Sequence, residues 1–154
     1  GLSFERRSSL SDLRSSAELD PSLHWGTMDI LLGDSMGEMA AYYSASDLVV
    51  MGGSLLPTGG QNLIEACANG CPVILGEHTY NFQQASEDAI TCGAAVRIEG
   101  SNHDLVQSLS EALKALLMNT SQRQMMSAKA LQYASQHQGA TQRILDRIRP
   151  ALQS

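Results

Sequence analysis

Two compact apolar runs, residues 28–32 and 48–51, stop abruptly at glycine, the first at Gly33 with Asp34 and the second at Gly52 with Gly53. Runs this short, bounded this way, have the length of strands buried on both faces, and such strands belong in a parallel sheet. Between them Met36, Met39, Ala40 and Tyr43 recur at spacings of three and four, which predicts a helix beginning near Ser35 with those residues on one face. The alternation continues with a helix over 62–69, a strand over 73–75 after Pro72, a helix near 82–91 and a strand over 94–98 after Gly93. Repeated β-α units of this length predict an α/β fold, a Rossmann-like parallel sheet with helices on both faces and right-handed crossovers. After Gly100 the pattern is helical to the end. Leu105, Leu109, Leu113, Leu116 and Leu117 form an apolar stripe, and 125–137 and 141–152 read as two further helices.

The 154 residues suit one domain, large enough to bury about 70% of the unfolded surface. Residues 1–26 read as a short strand over 2–6 followed by a Ser-rich connection, with Asp20 and Pro21 marking a turn; the domain proper is expected over 27–154. No apolar stretch approaches the ~20 residues of a membrane-spanning helix. A net charge of −6 with scattered basic residues argues against nucleic acid or anionic lipid as partner, since both need clustered Lys and Arg. Arg143, Arg147 and Arg149 are the densest basic group, but Asp146 sits among them, as on a solvated helix face. Cys67, Cys71 and Cys92 form no Cys-x-x-Cys pair, so neither a zinc site nor a disulfide framework is expected, and a reducing compartment is favoured. The chain starts with Gly rather than Met, which suits either an excised piece or a natural protein with its Met removed.

In an open parallel sheet ligands bind beyond the carboxyl ends of the strands, which directs attention to the loops after 28–32 and 48–51. The first reads Gly33-Asp34-Ser35-Met36-Gly37-Glu38; the second carries Gly52, Gly53, Pro57, Gly59 and Gly60 on the way to Gln61 and Asn62. Glycines at that density let backbone N–H groups approach a ligand, and a following helix start adds about half a positive charge, so the outline is that of an anion site needing no metal or cofactor. Glu65 could then accept hydrogen bonds from ribose hydroxyls. The same residues also suit plain tight turns, with Glu65 merely complementing a helix dipole, and spacing alone does not separate the two. Both the Gly-x-Gly-x-x-Gly dinucleotide fingerprint and the Walker pattern are absent.

Four ordered blocks carry a resemblance: Gly33-Asp34-Ser35-Met36-Gly37-Glu38, Gly52-Gly53-Ser54-Leu55, Gly59-Gly60-Gln61-Asn62-Leu63-Ile64-Glu65 and Gly76-Glu77-His78-Thr79-Tyr80-Asn81-Phe82. Together with Gly1-Leu2-Ser3, Arg7-Ser8-Ser9 and Gln138-Gly139-Ala140, they make the chain resemble the C-terminal, donor-binding half of the 3-deoxy-D-manno-octulosonic acid (Kdo) transferases, enzymes of GT-B architecture. The resemblance implies an inverting transfer of Kdo from CMP-Kdo to a lipid A precursor in lipopolysaccharide biosynthesis, at the cytoplasmic face of the bacterial inner membrane. It implies that Met36, Gly37, Glu38, Asn62, Leu63, Ile64 and Glu65 contact the CMP part. It also implies that membrane anchor, acceptor surface and general base belong to an N-terminal domain, so that this chain alone does not catalyse transfer. A Pro-Arg pair that contacts the nucleotide in the family would precede Gly1.

Departures from the family's commonest residues are Ser35 for Thr, Gln61 for His, Glu77 for Pro and Tyr80 for Phe. His24, His103 and His137 sit in polar surroundings and read as solvated, whereas His78 either lines a site or makes a loop hydrogen bond. Two rivals remain open at this point. One is a GT-B enzyme using a UDP-sugar, and the other is a non-catalytic nucleotide-binding or interaction module whose C-terminal helices dock on a partner.

Overall fold

The computed structural model describes residues 1–9, 28–100, 103–137 and Ile148. The Ser-rich connection over 10–27, His24, the 138–140 block, the helix expected over 141–152 and the basic group around Arg143 lie outside the described residues. The chain forms two compact units, Gly1–Met39 and Ala40–Ser154.

In the first unit β1 (Phe4–Arg6) pairs in parallel with β2 (Ile30–Leu32), Phe4 opposite Ile30 and Arg6 opposite Leu32. Serine–aspartate pairs bracket the ladder. At its entry Asp29 Oδ2 accepts hydrogen bonds from the Ser3 N–H (2.8 Å) and hydroxyl (2.9 Å). At its exit Asp34 accepts from the Ser8 hydroxyl (2.7 Å) and N–H (2.8 Å), with Arg6 at 3.7 Å. Hydrogen bonds to the charged form hold both carboxyls below the ordinary aspartate value, through the Ser3 N–H first for Asp29 and the Ser8 hydroxyl first for Asp34.

The helix expected near Ser35 begins instead at Met39, as α1 (Met39–Ser44). Gly37 has φ +80°, which a helix cannot contain, and Met36 is 96% exposed rather than on a packed face. The spacing of Met36 to Met39 imitates a helical turn across what is a side-chain-tied loop.

In the second unit β3 (Val49–Val50), β4 (Val73–Leu75) and β5 (Ala95–Arg97) form a parallel sheet in that order. Val49, Val73 and Ala95 stand in register, as do Val50, Ile74 and Val96. Because side chains alternate along a strand, the two rows face opposite sides. The first joins a core with α2 (Ile64–Ala68), α3 (Gln83–Cys92) and the later turns of α5 (Thr120–His137), through Leu63, Ala66, Cys67, Ala89, Ala130, Tyr133 and Ala134. The second packs under α4 (His103–Met118), where Ile74, Ile98, Leu116 and Met126 are buried with Leu105, Leu109, Ala112 and Leu113 against them. Helices therefore cover both faces of a parallel sheet, as expected.

Two details differ. Leu117 is half exposed and leaves the α4 stripe, its place on the packed face being taken by Ala112. α5 starts at Thr120 rather than 125, because the Asn119 carboxamide accepts from the Gln122 N–H at 3.0 Å and caps the helix a full turn earlier. His137, expected to be solvated, stacks on Tyr133 with ring centroids 4.4 Å apart, and its Nδ1 lies 3.0 Å from the Tyr133 carbonyl.

Candidate functional site

In the first unit the loop beyond β2 closes on the turn beyond β1. Arg7 Nη2 donates to Glu38 Oε1 at 2.8 Å, and the Ser35 hydroxyl donates to the other carboxylate oxygen of Glu38. Both members of the ion pair are about four-fifths buried, with side-chain exposures of 19% and 21%. The Glu38 carboxylate thus ties the loop together, while Met36 and Gly37 are exposed. Arg7 was not among the residues read as binding, although it stands in the Arg7-Ser8-Ser9 block; its partnership with Glu38, far along the sequence, leaves no local trace.

In the second unit the chain leaves β3 through a short helical turn at Gly52–Ser54 and loops to α2. Ser54 is fully buried and links two strand tips. Its hydroxyl donates to the Met51 carbonyl (2.6 Å) and accepts from the Gly76 N–H (2.8 Å), while its carbonyl accepts from the His78 N–H (3.0 Å). At Gly76 the backbones pass so closely that a Cβ would fall 2.3 Å from the Ser54 carbonyl oxygen. The Gly53 carbonyl accepts from Gly60 N–H (3.1 Å) and from the Thr58 hydroxyl (2.7 Å). Gln61, which stands where the family commonly has His, accepts from the Gly53 N–H at 3.3 Å and so braces this loop from within. Tyr80 donates from its hydroxyl to the Pro57 carbonyl (3.0 Å), and the Asn81 N–H donates to the Gly59 carbonyl (3.0 Å).

The four residues read from the second loop arrive with different groups to offer. The Asn62 carboxamide accepts from the Ile64 N–H at 3.1 Å, fixing the entry to α2. Leu63 is wholly buried, so a ligand could meet only its main chain. Ile64 is half-buried against the core, whereas Glu65 is exposed with its carboxylate in the first turn of α2. The structure therefore gathers Asn62, Leu63, Ile64 and Glu65 at one strand tip of the second unit, and Met36, Gly37 and Glu38 at one tip of the first.

A cleft of about 560 Å³ opens beyond the tips of β4 and β5, lined by Glu77, His78, Thr79, Tyr80, Gln83, Glu87, Arg97 and Glu99. Arg97 Nη2 meets Glu87 Oε1 at 2.8 Å and the Thr79 hydroxyl at 3.5 Å, and Glu77 accepts from the Gly100 N–H at 2.9 Å. His78 makes a loop hydrogen bond through its backbone N–H to Ser54 and is among the residues lining this cleft. Neither Arg97 nor Glu87 lies in a recognisable motif, so nothing local in the sequence singles them out. Among the described residues no group of three or more His, Cys, Asp or Glu could hold a metal ion, and no helix is long and apolar enough to cross a membrane.

Residues 17–133 match the family model for glycosyl transferases group 1. A 3-deoxy-D-manno-octulosonic acid transferase from Bordetella pertussis is 46% identical over 96% of the chain, and one from Haemophilus influenzae is 33% identical over 80%. The chain spans 31% and 28% of those two proteins. Among solved structures, the C-terminal CMP-Kdo binding domain of WaaA from Acinetobacter baumannii superposes with a TM-score of 0.66 at 26% identity, covering 86% of this chain and 61% of that one.

Proposed function

Because the chain belongs to the group 1 glycosyl transferases, we propose that it forms the donor-binding part of an enzyme that transfers Kdo from CMP-Kdo to a lipid A precursor, acting at the cytoplasmic face of the inner membrane. The observation that carries the reading is the 46% identity to a Kdo transferase along nearly the whole chain, joined by a structural neighbour described as a CMP-Kdo binding domain.

In this reading the CMP part lies on the strand-tip loops. In the second unit main-chain groups of Asn62, Leu63 and Ile64 meet the CMP part, while the Glu65 carboxylate accepts hydrogen bonds from the ribose hydroxyls. Glu38 acts by holding its loop through Arg7 and Ser35. Transfer leaves CMP as the departing group, and preorganised N–H donors stabilise the charge that develops on its phosphate. The acceptor, the general base and membrane contact are assigned to the part of the relatives that this chain does not span.

The test is calorimetric titration of the chain with CMP and UDP. CMP binding with UDP much weaker is expected; preference for UDP would move the chain to a different donor, and binding of neither would favour an interaction module. Glu65→Ala is expected to weaken CMP binding by about 1–3 kcal/mol, the cost of leaving buried hydroxyls without an acceptor. Unchanged affinity would remove Glu65 from the site.

A further inference from the structure

We propose that the cleft beyond β4 and β5 is the subsite for the transferable sugar of the donor, with Arg97 as its specificity-determining residue toward a sugar that carries a carboxylate. The inference rests on the donor-binding reading above and adds the place where the sugar sits and the group that selects it.

The first argument is continuity. The segment that lines the cleft on one side, His78 to Tyr80, is the segment on which the loop leading to Asn62 is built. A Cβ at Gly60 would lie 3.1 Å from the His78 carbonyl oxygen and 3.3 Å from Thr79 Cα, and the Tyr80 hydroxyl reaches the Pro57 carbonyl. A ligand whose nucleotide rests on the 59–65 loop therefore needs to extend past only one thickness of backbone to enter the cleft.

The second argument is chemistry. Three carboxylates, one guanidinium, a threonine, a glutamine and an imidazole line the space. Glu87 is paired with Arg97 and Glu77 accepts from the Gly100 N–H, so the cation left to a ligand is one oriented guanidinium, which suits a single carboxylate better than a phosphate dianion. Carboxylates that accept from hydroxyls and one planar cation that donates to a carboxylate describe instead a polyhydroxylated acidic monosaccharide.

The third argument is the state of Arg97. Its protein acceptors among the described residues, Glu87 and Thr79, are both met by Nη2. Nε is buried without a partner, and Nη1 carries two further N–H donors that meet no protein acceptor among the described residues. Glu87 and Thr79 therefore orient the fork while leaving Nη1 to donate. A charge-assisted hydrogen bond from Nη1 separates a carboxylated sugar from a neutral one, because the neutral sugar offers no charged acceptor.

The test compares the affinities of the chain for CMP and CMP-Kdo by calorimetry, in wild type and in Arg97→Lys, which keeps the charge beside Glu87 but removes the fork. Wild type is expected to bind CMP-Kdo more tightly than CMP. Arg97→Lys is expected to lose about ten- to a hundredfold of CMP-Kdo affinity, the worth of a hydrogen bond to a charged group, with CMP affinity and melting midpoint unchanged. An unchanged CMP-Kdo to CMP ratio in the variant overturns the subsite while leaving the donor reading intact; failure of wild type to bind CMP at all overturns the donor reading itself. Amide chemical-shift mapping on wild type needs no variant. The shifts seen with CMP-Kdo but not CMP are expected at residues 77–83 and 97–100, and their confinement elsewhere overturns the proposal.

Discussion

Ser54→Ala isolates the connection that holds the tips of β3 and β4 together. The hydroxyl of this fully buried residue makes two hydrogen bonds, but their loss is unequal in consequence. The Met51 carbonyl keeps a donor, the Ser54 N–H at 2.9 Å. The Gly76 N–H loses its acceptor and cannot turn to water, because Gly76 is itself buried. One orphaned buried donor costs about 1–3 kcal/mol. For a chain of this size each kcal/mol lowers the melting midpoint by about 2–4 °C, so a fall of roughly 2–12 °C is expected by circular dichroism. Thr58→Val is the matched control, since it also deletes a hydroxyl bonded to a loop carbonyl, but at an exposed position where Gly60 continues to donate to the same Gly53 oxygen. Its expected shift is under about 2 °C, as surface changes usually stay within 0.5 kcal/mol. Equal shifts in the two variants would refute the claim that burial of the Ser54 linkage, rather than the bond count, stabilises the site.

Acid should loosen the first unit specifically. Asp29 and Asp34 have lowered values in the folded chain, so the unfolded chain takes up protons first as pH falls; their stabilisation is full above the ordinary aspartate value of about 3.9 and is lost below it. The midpoint difference between wild type and Asp29→Asn/Asp34→Asn should therefore hold steady above about pH 5 and close in stronger acid, and a difference that widens there would contradict the assignment. Thiol labelling at pH 8 should modify Cys92 alone of the three cysteines in the native chain and all three in denaturant, because Cys67 and Cys71 are buried and burial pushes the Cys67 thiol up to about 12. Rapid native labelling of two or more would show that the α2 core opens.

The strands were legible to within two residues because each depends on its own composition, an apolar run with a glycine or proline at its edge. Burial was not legible: β4 is buried throughout, while Ile30, Leu31 and Leu32 of β2, expected on a strand buried on both faces, pair among the described residues only with β1 and are exposed. β4, expected over 73–75, is found there without change. Helix starts were less legible because they depend on side chains that compete for backbone groups. Asn119 begins α5 early by offering an oxygen to Gln122, and its signature, Asn-Thr-Ser-Gln, was readable but lay between two helical segments read as separate. The loop over 33–38 shows the opposite error. Asp34 and Ser35 spend their side chains on Ser8 and Glu38, which stabilises a non-helical path through residues whose apolar spacing looked helical.

What could be read of the site follows the same division between local and distant causes. Glycine-rich tips and the carboxylate of Glu65 are properties of short segments, and composition exposes them. The cleft is built otherwise. Arg97 ends β5, Glu87 lies in α3 and Thr79 follows β4, so their meeting is a product of the β3-β4-β5 strand order rather than of any spacing. On the proposed reading, a chain of net charge −6 must meet an anionic donor. Of the carboxylates at the loops and cleft of the second unit, Glu87 is committed to Arg97 and Glu77 to the Gly100 N–H, which leaves Glu65 and Glu99 without a partner among the described residues, and one oriented guanidinium in the cleft. Net charge counts side chains over the whole surface; recognition at strand tips depends on which of them have been neutralised locally, and only the fold decides that.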